Sequence, residues 1–243
     1  MRIGVVQTEP VKGDIEKNVH RHLAFIEAAL GKRPHLLMFP ELSLTGYEPE
    51  LAKELATTAG DTRLSPLQEI SDRHRMIICA GIPTVRRGDL FVSMIIFRPE
   101  QERITYSKQY LYPTEKGLFT PGDTPCILPF DEENRIAPAI CYELSVGEHA
   151  AYAHRMQATA YMASVLNSVN GVDADIARLS KIASDYRITA MMANYVGCSG
   201  GHACAGKSSV WNTKGELVAQ LDGKTEGVLV YDTATGTAES IYK

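Results

Sequence analysis

The sequence predicts an α/β protein built as a layered sandwich. Short apolar runs of strand length alternate with helical patterns almost to the C-terminus, and strands outnumber helices. No repeat of fixed period, low-complexity tract or linker interrupts this alternation. A length of 243 residues favours one large domain over two small ones, so we expect a single domain over residues 1–243.

The first half of the chain begins with a strand, a helix and a second strand. Arg2–Gln7 is apolar enough for a strand, and Asp14 stands where a helix N-cap is expected. Apolar residues then recur at spacings of three and four, and Gly31 is the predicted stop. The continuous apolar run His35–Phe39 is typical of a strand covered on both faces. Weaker helical patterns predict helices over Glu50–Ala59 and Ser65–His74. Further strands are predicted over Met76–Gly81, Leu90–Phe97 and Arg103–Lys108, and the last two of these could form a hairpin.

The second half continues the same alternation. Its predicted strands are Arg135–Cys141, Thr159–Leu166 and Ala190–Val196, and its predicted helices are Val146–Gln157 and Val172–Tyr186. The tail over Lys207–Tyr231 is predicted to hold short strands separated by turns.

Charge and composition narrow the partners and the compartment. Lysine and arginine number 25 against 29 aspartate and glutamate, a net charge of −4 that gives no reason to expect nucleic acid or an anionic membrane as partner. No apolar run approaches the roughly 18 residues that cross a bilayer, and the N-terminal apolar stretch is too short for a signal peptide. The five cysteines are odd in number and scattered, which suits the reducing cytosol. We therefore expect a cytoplasmic protein with no membrane partner.

Glu41, Lys108 and Cys141 each stand at the end of a predicted strand. Taken singly, a solvated glutamate, a surface lysine and a small core cysteine are the more common outcomes. Together they have a chemical logic, because a thiolate attacks amide or nitrile carbon well but a free thiol is largely protonated at neutral pH. A nearby carboxylate can take that proton and return it to a leaving amine, and an ammonium group can stabilise the oxyanion. The combination predicts base, electrophile and nucleophile at one edge of the fold.

Local motifs run along the chain in a fixed order: Pro40–Tyr47 (PELSLTGY), Lys108–Glu115 followed by Phe119–Gly122 (FTPG), Cys141–Glu143 (CYE) with Glu148, Ala193–Gly197 and Gly206–Ser208. Together they resemble the corresponding segments of the nitrilase superfamily, the carbon–nitrogen hydrolases. The resemblance spans nearly the whole chain and is therefore far more specific than any single motif.

The resemblance implies a fold, an assembly and a set of roles. The fold would be a four-layer α-β-β-α sandwich, paired into a homodimer or a higher even oligomer. Glu41 would be general base and acid, Lys108 oxyanion support and Cys141 nucleophile, with Glu115 as an auxiliary glutamate that positions the lysine or the substrate. No cofactor and no metal would be needed. Four further residues would contribute to oxyanion or substrate binding, Tyr142 through its backbone N–H: Tyr47, Tyr142, Glu143 and Asn167.

Two departures from the family pattern stand beside the nucleophile. Glu143 replaces the family's aspartate and is one methylene longer, with the same charge. Ser145 stands where many relatives carry an arginine, which removes a fork suited to binding carboxylates. This second departure argues against close kinship with the keto-acid amide hydrolases of the family.

Several functions stay open at the level of sequence. The leading hypothesis is hydrolysis of a small amide through a Cys141 thioester, with release of ammonia or an amine. A nitrilase or an N-carbamoyl amide hydrolase would use the same three residues, and acyl transfer would need only a different acceptor. A catalytically silent interaction domain of the same fold is a further alternative. A metal module would rest on Cys198–Cys204 alone, where no clear fourth ligand stands nearby, so we expect no metal there.

Overall fold

The computed structural model describes residues 1–243, which form two face-to-face β-sheets with helices on both outer sides. The strands are β1 (Arg2–Gln7), β2 (Leu36–Met38), β3 (Ile77–Arg86), β4 (Asp89–Phe97), β5 (Ile104–Ser107), β6 (Leu128–Pro129), β7 (Arg135–Ile140), β8 (Ala160–Ser164), β9 (Thr189–Ala193), β10 (Cys198–Ser199), β11 (His202–Ala203), β12 (Ser209–Trp211), β13 (Leu217–Gln220), β14 (Gly227–Asp232) and β15 (Thr237–Tyr242). The helices are α1 (Ile15–Ala29), α2 (Ala52–Leu55), α3 (Ser65–His74), α4 (Gly147–Arg155) and α5 (Val172–Tyr186). None of these helices is both long and apolar enough to cross a bilayer.

The two large sheets have related topologies. The seven-stranded sheet runs β15-β14-β1-β2-β3-β4-β5, and the six-stranded sheet runs β13-β12-β9-β8-β7-β6. Strands β1, β2 and β3 are parallel to one another, as are β7, β8 and β9, while the flanking strands are antiparallel. A separate two-stranded hairpin pairs β10 with β11.

Apolar side chains fill three cores and so define four layers. Met38 of β2 and Met162 of β8 belong to the core between the two sheets. The neighbouring Leu37 points to the other face, where it packs with Phe25 of α1, because successive strand residues alternate between faces. Helices α4 and α5 cover the outer face of the six-stranded sheet in the same way. The predicted α-β-β-α sandwich is confirmed, and the double coverage explains why the central strands are continuously apolar.

Most predicted elements are found close to their predicted positions. Asp14 caps α1 by accepting a hydrogen bond from the Lys17 N–H at 3.0 Å. Strands β4 and β5 form the predicted hairpin, and helix α5 has the predicted bounds, Val172–Tyr186.

One helix ends close to its predicted stop, and another was wrong in its extent. Helix α1 ends at Ala29 with Leu30 as its C-cap, directly before the predicted stop Gly31, and a short 3₁₀ turn then carries the chain on to Arg33, whose φ of 50° is left-handed. The helix predicted over Glu50–Ala59 is limited to a 3₁₀ turn and the four residues of α2. Thr57 instead lies extended beside β3, where its N–H donates to Pro83 O at 3.1 Å, so tertiary pairing overrides the local helical pattern.

Several parts of the sheets were not predicted, among them β6 and the β10–β11 hairpin. Strand β3 extends to Arg86 and turns through Arg87 and Gly88, both with positive φ, into β4. The last strand, β15, was also missed, because its half-exposed residues lack the continuous apolar run of the central strands.

Candidate active site

Three strand ends from the two sheets meet in one place. Glu41 comes shortly after β2, Lys108 directly follows β5 and Cys141 directly follows β7. The Lys108 ammonium lies 2.8 Å from the Glu41 carboxylate, and both charges act on the pKa of the Cys141 thiol. The structure therefore brings the three predicted residues together between the sheets.

Lys108 is the centre of the cluster. Its side chain has no exposed surface, and its Nζ donates to Glu41 Oε1 and to Glu115 Oε1, each at 2.8 Å. Burial alone would lower the pKa of Lys108, but the neighbouring anions, chiefly Glu41, outweigh it and raise the pKa above its ordinary value. Lys108 therefore stays an ammonium group at the bottom of the site.

Glu115 holds the lysine from a 3₁₀ turn, Pro113–Glu115. Its Oε2 accepts the backbone N–H of Tyr112 at 2.7 Å, which fixes the carboxylate on its own turn. Its Oε1 accepts both Lys108 and the hydroxyl of Tyr47, the latter at 2.9 Å. The hydroxyl of Tyr47, a residue predicted to take part in substrate binding, is thus used to orient Glu115.

Glu41 is buried, and only one of its two carboxylate oxygens has a hydrogen-bond partner. Its Oε1 accepts from Lys108, whereas its Oε2 is buried with no hydrogen-bond partner. Burial raises the pKa of Glu41 above its ordinary value of 4.5, with the Lys108 charge acting in the opposite direction. Its backbone is held from the other sheet, because Tyr195 donates its hydroxyl to Glu41 O at 2.6 Å. An orphaned carboxylate oxygen with a raised pKa is suited to take a proton from a neighbouring group.

Cys141 begins a 3₁₀ turn, Cys141–Ser145, directly after its strand. Its φ of 46° lies in the left-handed region, which is strained for a non-glycine residue and typical of functional sites. Its Sγ lies 3.9 Å from Leu166 O. Burial raises the pKa of the thiol well above its ordinary value, the Glu41 charge adds to this and Lys108 opposes it. The resting side chain is therefore a protonated thiol.

Tyr142 follows the nucleophile within the same turn. Its N–H is in the first turn of a 3₁₀ helix, where backbone donors have no acceptor inside the helix. Its ring meets that of Tyr112 edge to face, with centroids 5.5 Å apart. The two rings link the turn that carries Cys141 to the turn that carries Glu115.

Glu143 and Asn167, both predicted to take part in oxyanion or substrate binding, lie within the protein's own hydrogen-bond network. Glu143 has no exposed surface, and both its oxygens accept hydrogen bonds from the protein itself. Burial raises the pKa of Glu143 to about 7. Asn167 is buried as well, with its N–H on Asn194 Oδ1 at 2.8 Å and its side-chain amide 3.6 Å from Met192 Sδ. The protein itself thus uses both oxygens of Glu143, whereas the side-chain oxygen of Asn167 accepts no hydrogen bond from the protein. Ser145, by contrast, is exposed.

Two glycines support the site in a way that the sequence did not predict, although Gly122 belongs to the FTPG motif. A Cβ on Gly81 of β3 would lie 2.2 Å from Leu42 N, directly behind Glu41. A Cβ on Gly122 would lie 2.1 Å from Ser107 O, and the Gly122 N–H donates to Lys108 O at 2.8 Å. Each glycine thus allows close backbone contact behind a site residue. A glycine inside the apolar run of β3 was the available signal for Gly81.

The motif residues Asn194 and Ser208 fasten the loops around the site. The Asn194 side chain donates to Asn167 O and Gly206 O, at 3.2 and 2.8 Å. Its backbone N–H donates to Ser208 Oγ at 3.0 Å. Their contacts are all internal, which gives the two motifs a structural explanation.

The glycine-rich loop between Cys198 and Cys204 borders the site through Tyr47. Ser199 Oγ accepts the Tyr47 N–H at 2.9 Å, and a Cβ on Gly200 would lie 2.6 Å from Tyr47 O. Cys198 is exposed whereas Cys204 is buried. Nowhere in the chain do three or more histidine, cysteine, aspartate or glutamate side chains form a group that could hold a metal ion.

Known proteins match this chain along much or nearly all of its length. The family model described as "Carbon-nitrogen hydrolase" matches residues 2–243. An (R)-stereoselective amidase of Pseudomonas sp. is 30% identical over 61% of this chain and 54% of its own length, so that match spans about half of the relative. A probable nitrilase of Schizosaccharomyces pombe is 23% identical over 99% of this chain and 91% of its own length.

Solved structures share the fold at low sequence identity. An amidase from Nesterenkonia sp. AN1, in a mutant that shows Michael addition of acrylamide at its active-site cysteine, superimposes with a TM-score of 0.86. It is 24% identical, and the match covers 96% of this chain and 92% of the other. Another mutant of that amidase, in complex with butyramide, gives a TM-score of 0.85 at 23% identity, covering 95% and 89% of the two chains.

Proposed function

The chain belongs to the carbon–nitrogen hydrolase family, and we propose that it is an amidase that hydrolyses a small carboxamide through a thioester on Cys141. The strongest support is the buried Lys108 ammonium held between Glu41 and Glu115 beside that thiol. Desolvating one cation and two carboxylates is costly, and apolar residues would stabilise a purely structural core as well or better. Such a cluster is therefore better explained by chemistry than by folding, which argues against a silent domain.

The first half of the reaction forms the acyl-enzyme. As Cys141 Sγ attacks the carbonyl carbon, its proton passes to the unpartnered Oε2 of Glu41 and the carbonyl π electrons move to oxygen. The Lys108 ammonium and the N–H of Tyr142 stabilise that oxyanion. Collapse breaks the C–N bond, Glu41 returns its proton to the nitrogen and ammonia leaves, so Cys141 is left as a thioester.

The second half releases the acid. Glu41, ionised again, takes a proton from water while the water oxygen attacks the thioester carbon. The same two donors stabilise the second oxyanion. Collapse breaks the C–S bond, and the proton held on Glu41 returns to the Cys141 sulfur. Glu115 has no direct part in these steps, and its role is to hold Lys108 in place.

We also propose that the protein works in the cytoplasm as a homodimer or a higher even oligomer. The family resemblance supports the assembly, and five free cysteines suit a reducing compartment. A solution mass near that of one 26.7 kDa chain at micromolar concentration would contradict the assembly.

The decisive experiment measures ammonia release and an intact-protein mass increase together. With butanamide or an activated amide, we expect turnover and an acyl group on Cys141, and Cys141→Ala should abolish both. Cys198→Ser is the matched control, because this exposed cysteine lies outside the mechanism, and it should keep turnover within about 3-fold. Nitriles and N-carbamoyl compounds form the other arms of the panel. Ammonia release by Cys141→Ala at the wild-type rate would disprove the mechanism.

A further inference from the structure

The Glu143 carboxylate lies between the two strand ends that carry the ammonium and the thiol. Its Oε1 accepts the backbone N–H of Gln109 at 2.6 Å, and its Oε2 accepts the backbone N–H of Ile140 at 2.7 Å. Gln109 directly follows Lys108, and Ile140 directly precedes Cys141. One carboxylate therefore joins strands β5 and β7, which belong to different sheets, at the positions next to the reacting groups.

We propose that Glu143 is a positioning residue that ties Lys108 to Cys141 and so sets the distance between oxyanion support and nucleophile. The proposal rests on the amidase mechanism above but adds a residue that touches neither substrate nor reacting atoms. Charge-assisted bonds from backbone N–H groups to a carboxylate are short and strong, and two of them on one side chain resist relative sliding of the strands. A small displacement at such a point matters, because a misplacement of about 1 Å can cost about 100-fold in rate.

A buried polar network holds Glu143 from behind. Tyr106 donates its hydroxyl to Glu143 Oε2 at 2.8 Å, and His149 Nε2 lies 3.0 Å from the Tyr106 oxygen. Tyr161 lies 2.9 Å from His149 Nδ1. One set of donors satisfies the whole network: Tyr161 donates to Nδ1, neutral His149 donates from Nε2 to Tyr106, and Tyr106 donates to Glu143. Burial lowers the pKa of His149 to about 4, which is consistent with this neutral form.

The direction of these hydrogen bonds makes Glu143 an acceptor from every neighbour. A glutamine at this position would keep one acceptor oxygen but would turn an amide N–H₂ toward a backbone N–H or the Tyr106 hydroxyl. An aspartate would keep both acceptors and the charge but would be about 1.5 Å shorter, the length of one carbon–carbon bond. The two variants therefore separate loss of acceptor chemistry from loss of reach.

The test compares Glu143→Gln and Glu143→Asp with Glu132→Gln, which changes an exposed glutamate outside the site. We expect kcat to fall about 100-fold in Glu143→Gln and by less in Glu143→Asp, on the scale of a misplaced catalytic group. KM should stay within about 3-fold, because Glu143 does not meet substrate. Glu132→Gln should match the wild type. A folded Glu143→Gln protein with wild-type kcat would overturn the positioning role, and so would a variant in which KM rises while kcat stays unchanged.

A second readout does not depend on amide hydrolysis. Iodoacetamide alkylates Cys141 as the thiol loses its proton. The Lys108 charge favours that loss, so displacement of Lys108 should slow the reaction several-fold in Glu143→Gln. The rate is followed by peptide mass mapping, since exposed Cys198 also reacts. Slower alkylation in a protein that hydrolyses no amide would keep the positioning role and reject the proposed function. Unchanged alkylation at Cys141 would reject the positioning role.

A milder variant covers the case in which Glu143→Gln does not fold. Tyr106→Phe removes one donor to Glu143 and keeps the aromatic ring in the core. We expect kcat to fall about 3- to 10-fold with unchanged KM, since one hydrogen bond to a charged group is lost. A folded Tyr106→Phe protein with wild-type kcat and wild-type alkylation would contradict the proposal.

Discussion

The thiol of Cys141 is protonated at rest, because burial and the Glu41 charge raise its pKa well above the ordinary value. Ionisation before attack is therefore unfavourable, unlike in sites where a cysteine is a stable thiolate. In the proposed mechanism, proton transfer to Glu41 therefore accompanies attack on the carbonyl carbon. The raised pKa of Glu41 suits this task, because it makes the carboxylate a stronger base than an exposed glutamate.

This reasoning predicts the pH dependence and the effect of Glu41→Gln. Glu41 must be ionised to take the proton, so kcat/KM should fall as pH falls through its raised pKa. The acid limb should therefore lie above the ordinary glutamate value of 4.5. Glu41→Gln should lower kcat at least about 100-fold, the scale of a lost general base. Steady-state ammonia release across pH measures both effects, with Glu132→Gln as the control. An acid limb near 4.5 or an active Glu41→Gln protein would remove Glu41 from the mechanism.

At the scale of elements, the site depends on how closely backbones pass behind the catalytic strand ends. Gly81 of β3 lets the chain at Glu41 and Leu42 lie against the strand, and Leu42 itself has a left-handed φ of 52°. Strand β3 thus fixes the position of Glu41 through contact with its main chain. The packing of β3 is in this way linked directly to the residue that we propose as general base.

We predict that Gly81→Ala damages activity more than stability. The new methyl group would lie 2.2 Å from Leu42 N and force the backbone next to Glu41 to move. We expect a destabilisation of about 1–3 kcal/mol, typical of overpacking, and a fall in kcat of about 100-fold from misplacement. Gly31→Ala is the matched control, because a Cβ there would meet nothing within 4 Å. Thermal melting and kcat are measured for both variants. Wild-type kcat in Gly81→Ala would show that the strand does not position Glu41.

Features set by neighbouring residues were predicted well from the sequence, whereas features set by distant residues were not. The strands that end near Glu41 and Cys141 were predictable, because sheets covered on both faces require continuous apolar runs. The extended backbone at Thr57 was not, since its conformation comes from pairing with distant β3. The direction in which the Glu143 side chain points was not predictable either. One of the N–H groups that it accepts belongs to Gln109, which is distant in sequence, and the other belongs to Ile140 at the buried end of β7. Periodicity locates elements, but a buried side chain turns toward whichever donors the tertiary structure brings near it.

At the scale of the whole molecule, buried charge is concentrated around the active site and is mostly negative. Lys108 is the only buried lysine or arginine. Five acidic residues are buried: Glu41, Glu48, Glu115, Glu143 and Asp175. Glu41 and Glu115 bind Lys108, Glu143 accepts the N–H next to it, and the charge of Asp175 acts on the pKa of Cys141. Exposed cations pair with two of them, Lys12 with Glu48 and Arg178 with Asp175. Lys108 is the only buried cation near the remaining carboxylates and is already bonded to two of them, so no buried cation is left to receive an anionic substrate.

We therefore predict that the enzyme prefers uncharged amides to amides that carry a carboxylate. A substrate anion about 8 Å from one net negative charge costs about 2 kcal/mol at an effective dielectric constant of about 20, or about 30-fold in kcat/KM. The test compares 4-methylpentanamide with succinamate, which has the same shape but ends in a carboxylate. Because the two amides match in size, their ratio reports charge rather than fit, and added salt should narrow the gap by screening. Exposed Ser145 supports the same direction, since it offers no guanidinium to a carboxylate. Equal kcat/KM values, or a preference for succinamate, would show that a cation on a neighbouring loop reaches the pocket and outweighs the buried carboxylates.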